Sequence, residues 1–179
     1  MATTPADKSL RLPPLKPHKL FFLSQISLRA FAGAATLAAA WIMLTAKQTS
    51  VVFGIQVHAR YSYSPTFKFF AYTNLIVCGS TILSLLVAYK AVDPAYYFYV
   101  FVHDLMVTVL LMAGCAAATA VGYVGKYGNS HAGWVGICGY FGKFCSKATA
   151  ASSISYLALV AYLILTVVSA NKSRHQIGV

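Results

Sequence analysis

The sequence predicts an all-α integral membrane protein, a four-transmembrane-helix bundle, and three observations carry that prediction. Hydrophobic residues fill 59 % of the 179 positions and charged residues only 9 %, with a mean hydropathy of +0.68. A soluble domain carries about a quarter charged residues. The apolar residues also gather into four runs of the roughly 20 residues that one bilayer crossing needs. Finally, lysines and arginines stand at the ends of those runs, as they do on the flanks of spanning helices.

Residues 1–19 hold Pro5, Pro13, Pro14 and Pro17 among basic and polar residues and read as a flexible tail. A membrane domain over 20–171 follows, and residues 172–179 form a second short tail. The first helix is expected at about 22–46, between Lys19 and Lys47, interrupted only by Arg29. It exceeds the 7–15 residue core of a cleavable signal peptide and is expected to stay in the membrane. The second helix, FFAYTNLIVCGSTILSLLVAY, fills about 69–89. The third, about 96–124, opens on Tyr96, Tyr97 and Tyr99, which read as interface anchors, and contains His103 and Asp104. The fourth, about 148–170, has no ionisable side chain except Tyr156 and Tyr162.

The first loop contains VVFGIQVHARYSYSPTF, whose alternation fits a short strand or hairpin. The second, around Lys90 to Ala95, is too short for a domain. The third is glycine-rich but lacks the strand and the Lys-Ser/Thr of a phosphate-binding loop, so its glycines read as close backbone packing. Trp134 and Phe141 are expected on the membrane surface or against the first loop. On the third helix, Gly114 and Ala118 stand at small-xxx-small spacing, a candidate lipid-facing subunit contact.

Four crossings put both termini on one side. With cytoplasmic termini, that side holds Lys8, Arg11, Lys16, Lys19, Lys90, Lys172 and Arg174, against Lys47, Arg60, Lys68, Lys126, Lys143 and Lys147 opposite. The balance is slight, but the first helix has its richer basic flank at its N-terminus, which favours termini inside and two extracellular loops. The sequon Asn171-Lys172-Ser173 then faces the cytoplasm and is expected to be unused. Cys138 and Cys145 share the third loop. They form either a short disulfide-closed ring, which persists on an oxidising face, or two free thiols in a reduced loop. They lack the second close pair of a zinc site, so no metal or other cofactor is expected. The formal charge of +11 is scattered along membrane borders rather than gathered in a stripe, which argues against nucleic acid.

Arg29 is the one basic residue deep in a span, and Asp104 the one acidic residue. Helices one and three run in the same direction, and both charges sit about 15 Å past a flanking charge, so they can meet at one level. An unpaired charge in hydrocarbon costs roughly 2.5–3.5 kcal/mol, and the guanidinium fork offsets much of it. The pair therefore reads first as a structural bridge fixing helix one beside helix three. The alternative is an ion or proton relay in a channel, transporter or accessory subunit. A relay needs further polar stations, of which helices two and four offer Asn74, hydroxyls and tyrosines. His103 points about 100° from Asp104 on a helix and reads as a neighbour rather than a partner. No second carboxylate and no spaced Cys–His or Ser–His pair marks an enzyme.

Together, Arg29, Asp104, the block PTFKFFAYTNLIVCGSTILSLL at Pro65 to Leu86 and the block GNSHAGWVGICGYFGKFC at Gly128 to Cys145 resemble the plant Casparian strip membrane domain proteins and their CASP-like relatives, most closely the first subgroup. The resemblance covers all four spans and both outer loops. It implies a fold distantly similar to MARVEL-type proteins, with the intramembrane pair Arg29 and Asp104 as a family mark and Pro65, Phe67, Trp134 and Phe141 as extracellular loop contacts. It further implies a non-enzymatic plasma-membrane scaffold, forming homo-oligomers (dimers or higher) or hetero-oligomers with related members. Membrane lipids and cell-wall enzymes are its candidate partners, and local cell-wall modification its expected output. Strip-forming members carry an acidic first outer loop. Here that loop reads VHARYSYSPTF with no carboxylate, which counts against Casparian strip formation itself.

Overall fold

The computed structural model describes residues 17–88 and 94–177. The tail before residue 17, the connection containing Lys90 and Asp93, and the last two residues lie outside them, as do the side chains of Tyr96 and Tyr97. Four helices, α1 (Pro17–Leu44), α2 (Pro65–Ala88), α3 (Pro94–Tyr127) and α4 (Gly142–Ile177), make up the membrane domain. Each contains a segment long and apolar enough to span a bilayer: Phe22–Leu44, Pro65–Leu86, Phe98–Tyr127 and Gly142–Arg174. Proline opens α1, α2 and α3, where its missing N–H is no loss and its φ suits the first turn.

The helices run alternately up and down and form a ring. Helix α1 packs on α2 and α4, and α3 packs on the same two, so α1 and α3 face each other across the bundle. Much of the interior is small or hydroxylic, with Ala32, Thr36, Ala39, Thr73, Asn74, Thr81, Ala151 and Ala158 buried around the larger Met43, Phe70, Leu111, Tyr162 and Leu165. Bulky apolar residues such as Ile76, Leu83, Met106 and Val160 point outward. Lipid is as apolar as leucine, so association gains little from burying bulk and more from close approach and internal hydrogen bonds.

At the end of the bundle opposite the chain termini, β1 (Lys47–Val52) and β2 (Ile55–Arg60) form an antiparallel hairpin. Its two-residue turn, Phe53-Gly54, has positive φ at both positions, as a turn matching strand twist requires. The hairpin lies on α4: Gln48 Oε1 accepts the Phe144 N–H at 2.8 Å, and Lys147 Nζ donates to the Thr45 carbonyl at 3.2 Å. Gln48 thus satisfies one of the orphan donors of the first turn of α4 from a distant part of the chain.

Helix bounds differ from those expected. Helix α4 starts at Gly142, six residues before the apolar run, and continues into the second tail. Apolarity marks where a helix meets lipid, not where its hydrogen bonds stop. The sequon consequently lies on helix, with Ser173 buried.

Candidate functional site

The site is built from one polar residue on each helix. Arg29 of α1 lies about 18 Å of helical rise from Pro17, and Asp104 of α3 about 15 Å from Pro94. Matching depth on parallel helices lets the two meet. Arg29 Nη1 donates to Asp104 Oδ1 at 2.7 Å and Nη2 to Oδ2 at 2.6 Å, the bidentate fork. Asp104 is fully buried and Arg29 nearly so. The adjacent helices complete the cage: Arg29 Nη1 also donates to Ser84 Oγ of α2 at 3.1 Å, and Ser169 Oγ of α4 donates to Asp104 Oδ2 at 2.9 Å.

Two sequence expectations are corrected here. The pair does not fix α1 beside α3 but crosses the bundle between them, with α2 and α4 closing on either side. Parallel direction makes such a pair reachable; it does not make the helices neighbours, and the long arginine side chain spans the gap. His103 is also more than a neighbour, for its Nδ1 lies 3.4 Å from Asp104 Oδ1. The ring bends back toward the carboxylate, while its side chain stays one-third exposed.

Further polar contacts continue toward the hairpin end. Thr108 and Thr166 hydroxyls pair at 3.0 Å, Thr81 pairs with Tyr162, and Ser155 Oγ donates to Asn74 Oδ1 at 2.9 Å. Cys115 Sγ in turn donates to Ser155 Oγ at 3.2 Å. Among the described residues, every buried side-chain nitrogen and oxygen has a hydrogen-bond partner, and no cluster of three His, Cys, Asp or Glu that could hold a metal is present.

Against known proteins, the Casparian strip membrane protein domain matches residues 18–161, a segment holding Arg29, Ser84, Asp104 and both loop cysteines. The chain belongs to this family. It is 53 % identical to CASP-like protein 1F1 of Vitis vinifera over 90 % of this chain and 81 % of that protein. It is 49 % identical to CASP-like protein 1F2 of Populus trichocarpa, covering 93 % and 94 %. It is 39 % identical to CASP-like protein 1F1 of Arabidopsis thaliana, covering 84 % and 89 %. Both printed names agree with the first CASP-like subgroup. No solved structure matches the chain.

In this CASP-like chain the loop residues divide by role. Cys138 and Cys145 form a disulfide that ties the loop to the first turn of α4. Phe67 and Phe141 are buried, and Phe67 meets Phe144 edge-to-face with centroids 5.8 Å apart. Pro65 and Trp134 are exposed. The loop glycines permit close approach as expected: a Cβ on Gly128, whose φ is 74°, would lie 2.5 Å from the Trp134 carbonyl oxygen. Gly114 and Ala118 are corrected. Both are buried, and a Cβ on Gly114 would meet Thr73 Cγ2 at 3.1 Å, so Gly114 serves α2–α3 packing within the chain, while Ala118 lies at the base of a groove between α3 and α4. Sequence reasoning missed Ser84 and Ser169, because a single serine in a spanning helix carries no signal of which face it occupies.

Proposed function

We propose that this CASP-like chain is a non-enzymatic plasma-membrane scaffold, with cytoplasmic termini and the hairpin and disulfide loop outside. It self-associates, alone or with related family members, and organises a membrane domain that guides local cell-wall modification. The observation that carries this reading is the closure of the Arg29–Asp104 pair. A carboxylate held by a bidentate guanidinium and a serine, with no orphaned buried polar side chain among the described residues, supports a fixed part rather than a moving one. The largely apolar exterior of the spans supports lateral assembly within the bilayer.

The chain of interior hydroxyls from Asp104 toward Asn74 favours a second reading, a proton or ion path in a channel, a transporter or an accessory subunit of one. Reconstitution separates the two. Liposomes holding the purified protein should show no proton or cation flux above protein-free vesicles, while single-molecule counting in the same vesicles finds two or more chains per particle. A flux abolished by Asp104→Asn in correctly assembled protein would establish the path. Particles of one chain, mobile in the plant plasma membrane, would remove the scaffold.

A further inference from the structure

A lateral groove of about 990 Å³ opens between the end of α3 and the beginning of α4, beneath the disulfide loop. Its floor is made of small residues, among them Ala118 and Gly122 of α3 and Ala148 of α4. A Cβ on Gly122 would meet nothing within 4 Å, so the space is left by the sequence and not filled by a neighbour. One wall carries Ser146, Thr149 and Ser153, all exposed and all on one face of α4. Thr149 and Ser153 fall within the apolar run of α4, and Ser146 just ahead of it. Farther along the same helix, past Tyr156, the exposed positions up to Val167 are the apolar Leu157, Val160, Leu163, Ile164 and Val167. Hydroxyls at lipid-exposed positions therefore mark this stretch apart from the rest of the helix.

At the mouth stand Lys126, Tyr127 and Trp134, with Lys126 Nζ 5.0 Å from the Tyr127 ring centroid. The charges at this end are one-sided. Lys47, Arg60, Lys68, Lys126, Lys143 and Lys147 lie here, whereas Asp104 is the sole acid among the described residues and is taken by Arg29. A second copy in the same membrane has the same orientation, and would set its own basic end beside this one. The phosphate of a membrane phospholipid is the complementary occupant.

We propose that this groove binds a phosphate-bearing membrane lipid, with the phosphate at Lys126 and one acyl chain along the floor formed by Ala118 and Gly122. The aromatic pair Tyr127 and Trp134 brackets the headgroup at interface depth, and the α4 hydroxyls meet the ester region.

The test uses the full chain in nanodiscs of phosphatidylcholine with a photoactivatable group on one acyl chain, followed by peptide mapping. Labelling should concentrate on α3 around Ala118 to Gly125 and on α4 around Thr149 to Tyr156. Gly122→Leu sets a side chain on the floor, where a Cβ meets nothing within 4 Å, and should reduce that labelling about tenfold. Lys126→Gln, which removes one charge-assisted contact, should do the same. Gly79→Leu, at an exposed and equally open position on α2, should leave it unchanged. Co-elution with wild type on size exclusion establishes that each variant is folded. Labelling spread evenly around the bundle, or undiminished by Gly122→Leu, overturns the proposal. So does a phosphate-free sterol probe captured equally by wild type and Lys126→Gln, or crosslinking of the groove to a second chain in place of lipid.

Discussion

Asp104→Leu alone should lower the folded-to-unfolded ratio about a thousandfold, and the same change combined with Arg29→Met should restore most of it. The single change strands a guanidinium in the middle of the bundle, where Ser84 is its remaining side-chain partner. Removing one member of a buried ion pair costs about 3–5 kcal/mol, a large part of a typical total stability of about 5–15 kcal/mol. At about 1.4 kcal/mol per factor of ten, the folded-to-unfolded ratio falls on the order of a thousandfold. Replacing both charges removes the desolvation cost together with the attraction, and such exchanges are often neutral. The readout is the fraction of chain that elutes as one symmetric peak after detergent extraction, with resistance to unfolding by sodium dodecyl sulfate measured beside it. Wild-type stability in the single variant would mean that the fork contributes nothing. A double variant as poor as the single one would mean that the charges themselves are required.

Cys145→Ser is the second change expected to have a large effect. The disulfide closes a ring with a sequence separation of 7, and chain entropy alone assigns such a ring about 2.5 kcal/mol. For a chain of this size that corresponds to a melting temperature lower by about 5–10 °C. The loss is local, because the same turn of α4 receives its cap from Gln48. Freed from Cys138, the loop should become sensitive to protease while the spans remain protected. In intact cells, a membrane-impermeant maleimide should label Cys138 and Cys145 only after reduction. Ready labelling without reductant would remove the disulfide, and protection from the reagent even after reduction would reverse the proposed orientation.

The spans, the hairpin and the charge pair were legible in the sequence for one shared reason: each departs from a uniform background. Two deep charges stand out in a chain with three acids, and alternation in VVFGIQVHARYSYSPTF stands out between two continuous apolar runs. The ring order of helices was not legible. In water, a helix shows which side it buries by being polar on the other. Here both sides are largely apolar, and where the helices approach closely the inward one is marked by small residues such as Thr73, Gly114 and Ala118. Gly114 therefore reads from the sequence as a surface between subunits, since smallness serves close approach wherever two helices meet. Ser84 and Ser169 were missed on the same ground, and His103 because a residue's nominal direction on a helix leaves out the reach of its side chain.

The distance along the chain between the two charges has a consequence during synthesis. Arg29 and Asp104 are separated by 75 residues, which a ribosome adding about 5–20 residues per second takes about 4–15 s to cover. The first segment must therefore enter the translocation machinery with an arginine whose counter-ion does not yet exist. We expect nascent chains halted before Asp104 to stay crosslinkable to the insertion machinery through Arg29, and chains halted well after α3 to be released from it. Equal release at both lengths would show that lipid alone tolerates the waiting charge. On this view the pair acts as a quality signal: the bundle leaves its assembly site only once the third helix has arrived to discharge the first.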